Sequence, residues 1–214
     1  MVVSTGFRLA HITDVHIQPE VKALEVWKKA LSHINEESHD YNLVITGGDA
    51  VMNATNEEEK RVELQWDLWK EGLTSLTKIE SLHCIGNHDV LSWKTNDETA
   101  SLQKKRAINE LKMPGRYYSV DRGGWHIIFL DSCQPLNGDY TAKLDREQFQ
   151  WLKSDLIDSK SMPVIIVSHV PILSVTGPVY DNNRIIKNHW HIPGNWMHVD
   201  ASELTKLFSE HSNV

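Results

Sequence analysis

The sequence predicts an α/β fold. Short apolar runs of strand length, Leu43 to Thr46 the clearest of them, alternate with longer stretches whose apolar residues recur at spacings of three and four. Leu43 to Thr46 is also nearly continuous in its apolarity, which is the pattern of a strand covered by helices on both faces. Several of the strand-like runs end in a small polar cluster, so the chain changes character where a sheet would end.

Taken in order, Phe7 to Thr13 is expected as a first strand and Val21 to Glu36 as a helix with Leu24, Trp27, Leu31 and Ile34 on its apolar face. Leu43 to Thr46 is the second strand. A longer helix is expected over Glu57 to Leu76, with Val62, Trp66, Trp69, Leu73 and Leu76 at helical spacing, and Leu82 to Ile85 is the third strand. After Met113-Pro114-Gly115 the rhythm changes. Tyr117 to Val120 and His126 to Leu130, separated by Asp121-Arg122-Gly123-Gly124, predict a hairpin, because glycines supply the positive φ of a tight reversal. Leu144 to Ile157 has helical spacing through Phe149, Leu152 and Leu156, and Pro163 to Val167 is a further strand. Ile172 to His198 lacks periodicity and contains Gly177, Pro178, Trp190, Pro193, Gly194 and Trp196, so it is expected as a long irregular segment of the kind that often carries function. Ala201 to His211 is a last helix with Leu204, Leu207 and Phe208 on one face.

A chain of 214 residues supports one sizeable core, and a single domain over residues 1–214 is expected. The net charge of -7 argues against a broad grip on nucleic acid and leaves a small soluble substrate as the expectation. Cys84 and Cys133 sit in apolar segments without ligand or redox spacing, so both are expected as buried free thiols. No basic leader followed by an apolar run, and no bilayer-length stretch, is present, which points to a cytoplasmic location without membrane association.

Chemistry concentrates in four clusters: Asp14-x-His16, Gly47-Gly48-Asp49, Gly86-Asn87-His88-Asp89 and Ser168-His169. Each stands at the end of a strand-like run. Ligands at successive strand ends converge in space although distant in sequence, since open α/β sheets place their sites beyond the carboxyl ends of the strands. The clusters supply carboxylate, amide and imidazole donors, a mixed nitrogen and oxygen set that suits transition metals better than calcium. Asp49 has two oxygens and can serve two cations. Two divalent cations outweigh the charges of Asp14 and Asp49, and the surplus suits an anionic phosphoester.

The four clusters, in this order, resemble the calcineurin-like metallophosphoesterase superfamily. The resemblance runs from about Phe7 to His169 and implies a layered α/β/β/α sandwich. It further implies a metallophosphoesterase that hydrolyses a phosphoester by metal-bound hydroxide, with two transition-metal ions drawn from manganese, iron, zinc and cobalt. Asp14 and His16 would bind the first ion, Asp49 would bridge, and Asn87 and His169 would bind the second. His88 would act on the phosphate or leaving oxygen without binding metal, with Asp89 supporting its ring. A small phosphodiester such as a cyclic nucleotide or glycerophosphodiester is the expected substrate; a monoester, a nuclease activity and a non-catalytic protein-binding scaffold are the alternatives. The family usually closes its site with a Gly-His-x-His element after a further strand, which this sequence lacks. A chain short of that final motif is therefore expected, with His189, His191 or His198 as possible replacement ligands.

Other residues have blander readings. His11 is expected as a structural histidine within the first strand, and Trp27, Trp66, Trp69 and Trp151 as core residues of helical faces. Asn53, Asn56, Trp93, Tyr140 and Tyr180 are candidate pocket residues, and Trp190 and Trp196 candidates for a pocket, an oligomer contact or, equally, packing within the folded loop. His33, His39, His83, His126 and His211 have no ligand partner at suggestive spacing. Lys104-Lys105-Arg106 is expected as a solvated helical face.

Overall fold

A computed structural model of the chain describes residues 6–36, 40–94, 97–175, 179 and 185–214; His39, Gly177, Pro178 and Tyr180 lie outside them. The fold is mixed α/β, with five helices and several small sheets among the described residues. Two compact units are present, residues 1–92 with 103–113 and residues 93–102 with 114–214.

The first unit is built on a parallel sheet of β1 (Leu9–Ile12), β2 (Leu43–Thr46) and β3 (Glu80–His83) in that spatial order. Every residue of β2 is buried, as its unbroken apolarity demands of a central strand. Between the strands lie α1 (Ala23–Ile34) and α2 (Glu59–Leu73). Trp27 of α1 stacks on Trp69 of α2 with ring centroids 4.8 Å apart, an approach that Gly72 permits because any Cβ there would lie 1.9 Å from the Trp27 ring. β3 begins two residues before the expected strand, because polar Glu80 and Ser81 pair with Leu43 and Val44 although they carry no apolar signal.

Residues 103–110 of α3 (Asp97–Glu110) belong to this unit, and here one expectation fails. Lys104 is only 1% exposed, and Arg106 is paired with Glu59 and Glu110. Lys105 is exposed as expected, but Lys104 and Arg106 are not, because long aliphatic stems let such side chains pack inward while their ends find partners.

The second unit holds β4 (Tyr118–Arg122) and β5 (Trp125–Phe129), a hairpin turning at Gly123 and Gly124, both at positive φ. A second hairpin, β6 (Cys133–Leu136) with β7 (Asp139–Ala142), turns at Asn137 and Gly138, with φ of 52° and 83°. After α4 (Arg146–Asp158), β8 (Val164–Val167) pairs parallel with β5. Asp145 caps α4 by accepting the Gln148 N–H at 2.9 Å. The irregular segment contains a short antiparallel pair, β9 (Ile185–Ile186) and β10 (His189–Trp190), and the last helix is α5 (Ala201–Ser209). Leu152 and Leu156 of α4, Leu204 and Leu207 of α5, and Ile128 and Val164 of the sheet form one buried apolar cluster. Among the described residues no helix is long and apolar enough to cross a membrane.

Candidate metal centre

The parallel pairing of β1 with β2 does not stop at the sheet edge. Asp14 N–H donates to the Gly48 carbonyl (3.1 Å), His16 N–H to that of Asp49 (3.0 Å) and Ile17 N–H to that of Ala50 (2.9 Å). The two loops thus run side by side, and the main chain sets the spacing of Asp14, His16 and Asp49. All three adopt left-handed backbone, with φ of 55°, 48° and 52°. Such a conformation costs a non-glycine residue about 1 kcal/mol or more, a strain that the hydrogen bonds between the two loops hold in place.

The loop after β3 closes onto this pair. The Asp89 carboxylate, 0% exposed, accepts from the backbone N–H groups of Gly86 (2.8 Å), Ala50 (2.9 Å) and Val51 (3.2 Å), so it staples the Gly86 turn to the Asp49 loop. His88 N–H donates to Asp49 Oδ1 at 2.9 Å. Gly86 is required by space: a Cβ would lie 2.1 Å from Asp49 Oδ1 and 2.2 Å from Asp49 N.

These constraints gather donors at one point. Asp49, 3% exposed, places Oδ2 3.5 Å from His16 Nε2, and Asp14 Oδ1 lies 3.8 Å from the same nitrogen. The rings of His16 and His88 meet edge to face at 4.7 Å. His16, Asp49 and His88 each offer a ligand atom, and the three atoms lie within 4.8 Å of one another. Asn87 occupies the same turn, between the two residues whose amides hold Asp89 and Asp49.

The calcineurin-like phosphoesterase family model matches residues 7–196. The chain belongs to this family. A comparison with curated proteins gives no match.

Calcineurin-like phosphoesterases are metal-dependent phosphoric ester hydrolases, and the donor set fits a divalent cation. It combines the buried Asp49 carboxylate with the His16 imidazole, whose Nε2 faces oxygens of Asp14 and Asp49 at 3.8 and 3.5 Å, the mixed oxygen and nitrogen set that transition metals favour.

Further site residues of this calcineurin-like phosphoesterase were placed by sequence with mixed results. His169 follows β8 in the second unit and is half-buried. The group found on the His88 ring is the Met52 carbonyl, which meets Nδ1, whereas the carboxylate of Asp89 holds the three backbone amides named above. No sequence signal marks a backbone carbonyl, so Met52 could not be read in advance. Both ring nitrogens of His198 are already engaged, Nε2 3.2 Å from Ser168 Oγ and Nδ1 2.9 Å from Asp200 Oδ1, and the residue is buried, so it does not stand as a replacement ligand. His189 and His191 are exposed. His11 is exposed rather than packed within the sheet. Asn53 is tied to Gln65 and Thr55 by hydrogen bonds and is a turn residue, while Trp93 and Tyr140 contact each other at 5.3 Å within the second unit. Trp27, Trp66 and Trp69 are buried as expected; Trp151 is half-buried against Tyr117, and Trp190 is exposed. Cys84 and Cys133 are free and buried.

Proposed function

We propose that this calcineurin-like phosphoesterase hydrolyses a small phosphodiester, such as a cyclic nucleotide or glycerophosphodiester, using two transition-metal ions from among manganese, iron, zinc and cobalt. The observation that carries the reading is the seating of Asp49 Oδ2 3.5 Å from His16 Nε2, with the His88 ring against that of His16 at 4.7 Å, on three loops pinned by main-chain hydrogen bonds. Asp14 and His16 would hold one ion, Asn87 and His169 the other, and Asp49 would serve both. Bound ions supply Lewis acidity and lower the pKa of water.

The protein contributes positioning and proton management. A carbonyl can only accept, so the contact with Met52 puts the His88 proton on Nδ1 and leaves Nε2 of the neutral ring with its lone pair. Nε2 has no hydrogen-bond partner among the described residues, which suits a group that exchanges a proton with a substrate or leaving oxygen. Asp89 acts at one remove by fixing the loop that carries His88. Two buried free thiols suit the reducing cytoplasm, the location we assign.

A substrate panel tests the reading. Protein loaded with manganese, zinc, iron or cobalt in turn is offered cyclic nucleotides, glycerophosphodiesters and matched monoesters. Faster, chelator-sensitive turnover of the diesters is expected. Preferential turnover of monoesters would overturn the substrate class, and chelator-insensitive turnover would overturn the metal dependence.

A further inference from the structure

The geometry points to His198 as a positioning residue for His169, acting through the hydroxyl of Ser168. This rests on the reading of His169 as a metal ligand and adds what holds that ligand in place.

β8 ends at Val167, whose carbonyl accepts the Leu130 N–H at 2.9 Å. Beyond it, the segment carrying His169 needs other anchors. Ser168 Oγ donates to the Val170 carbonyl at 2.7 Å, and Val170 N–H donates to Ser132 Oγ at 3.1 Å. His198 grips the same segment twice: its backbone N–H donates to the Pro171 carbonyl at 3.1 Å, and its Nε2 lies 3.2 Å from Ser168 Oγ. Residues on both sides of His169 are thereby fixed.

Ser168 Oγ is shared between the Val170 carbonyl and His198 Nε2, so the hydroxyl ties the ring to the segment that carries His169. Despite the Ser168, His198, Asp200 order, His198 at 1% exposure is closed to substrate and does not serve a nucleophilic triad. Asp200 orients the ring at 2.9 Å from Nδ1 and is itself held by the Leu144 N–H at 2.8 Å. Asp200, His198 and Ser168 form a chain of contacts that ends beside His169, an arrangement that commonly tunes metal affinity.

The test is equilibrium binding of Mn²⁺ to the full chain and to His169→Ala, His198→Ala, His198→Gln, Ser168→Ala and the Ser168→Ala/His198→Ala double variant. His169→Ala should weaken binding, and His198→Ala should weaken it by about 10- to 100-fold. Ser168→Ala should reproduce that loss, the double variant should be no worse than either single one, and His198→Gln, whose amide can bond to the hydroxyl, should recover most of it. Normal binding by His198→Ala and Ser168→Ala alongside weak binding by His169→Ala would overturn the positioning role and leave His169 a ligand. Normal binding by His169→Ala would overturn both. Losses that add in the double variant would show that His198 does not act through Ser168. Should His198→Ala fail to fold, Ser168→Ala decides: normal binding overturns the proposal.

Discussion

The backbone N–H of His88 donates to Oδ1 of Asp49 at 2.9 Å, so His88 serves the site with its main chain as well as its ring. The two roles separate on mutation. His88→Ala keeps the amide that seats Asp49 and loses only the imidazole. It should retain most of its bound metal while turnover falls by roughly 10²- to 10⁴-fold, the usual worth of a positioned acid or base. The loss should be smaller for a nitrophenyl ester, whose leaving group needs little proton assistance. Metal content and two-substrate kinetics of the variant check this; loss of metal would make His88 a ligand instead.

Gly86→Ala should damage the site without touching a ligand. The new methyl would press on Asp49 N and Oδ1 at about 2 Å, and backbone cannot yield cheaply. Destabilisation of about 1–3 kcal/mol is expected for such overpacking, with weaker metal binding. Denaturant unfolding and metal titration measure the two effects, and a variant unchanged in both would contradict the tight seating of Asp49.

Acid should weaken the first unit through His83. Burial pushes this ring down to about 4, and Thr46 Oγ1 lies 2.8 Å from its Nδ1. The folded state therefore resists protonation that the unfolded chain accepts near pH 6.5. The stability is fully present above that value and is lost as pH falls from 6.5 toward 4, by about 3 kcal/mol over the window. Unfolding free energies at pH 7 and pH 5 should show the drop, and His83→Asn should flatten it.

Alkali should act oppositely on His126. Burial opposes its charge, but Asp155 at 2.8 Å and Asp121 at 2.6 Å outweigh it and raise the pKa. This contribution is present below pH 6.5 and is lost as pH rises through the raised value. His126→Gln should remove that loss from the unfolding profile, while an unaltered profile would count against the ion pairs.

The strands and helices that the sequence made visible are those whose burial imposes a period. Leu43–Thr46 matched to the residue because a central parallel strand is apolar throughout. The β6–β7 hairpin escaped notice although Asn137-Gly138 is a strong turn signal, because its strands carry Gln134, Pro135 and Asp139 in place of an alternating pattern. Asp14, His16 and Asp49 were legible because strand ends converge. The work of Asp89 was not, since a carboxylate holding three backbone amides looks in sequence like one supporting a histidine. His198 hid for the same reason: its partners Ser168 and Asp200 meet it only through tertiary structure.

Asp49 is proposed to organise a metal centre for phosphodiester hydrolysis. Asp49→Ala tests this role, through bound Mn²⁺ at equilibrium and turnover of a cyclic nucleotide on the same folded sample. Metal content and turnover should fall together, because the variant removes the most buried carboxylate among the proposed ligands. Full metal occupancy with undiminished turnover in Asp49→Ala would contradict this role for Asp49.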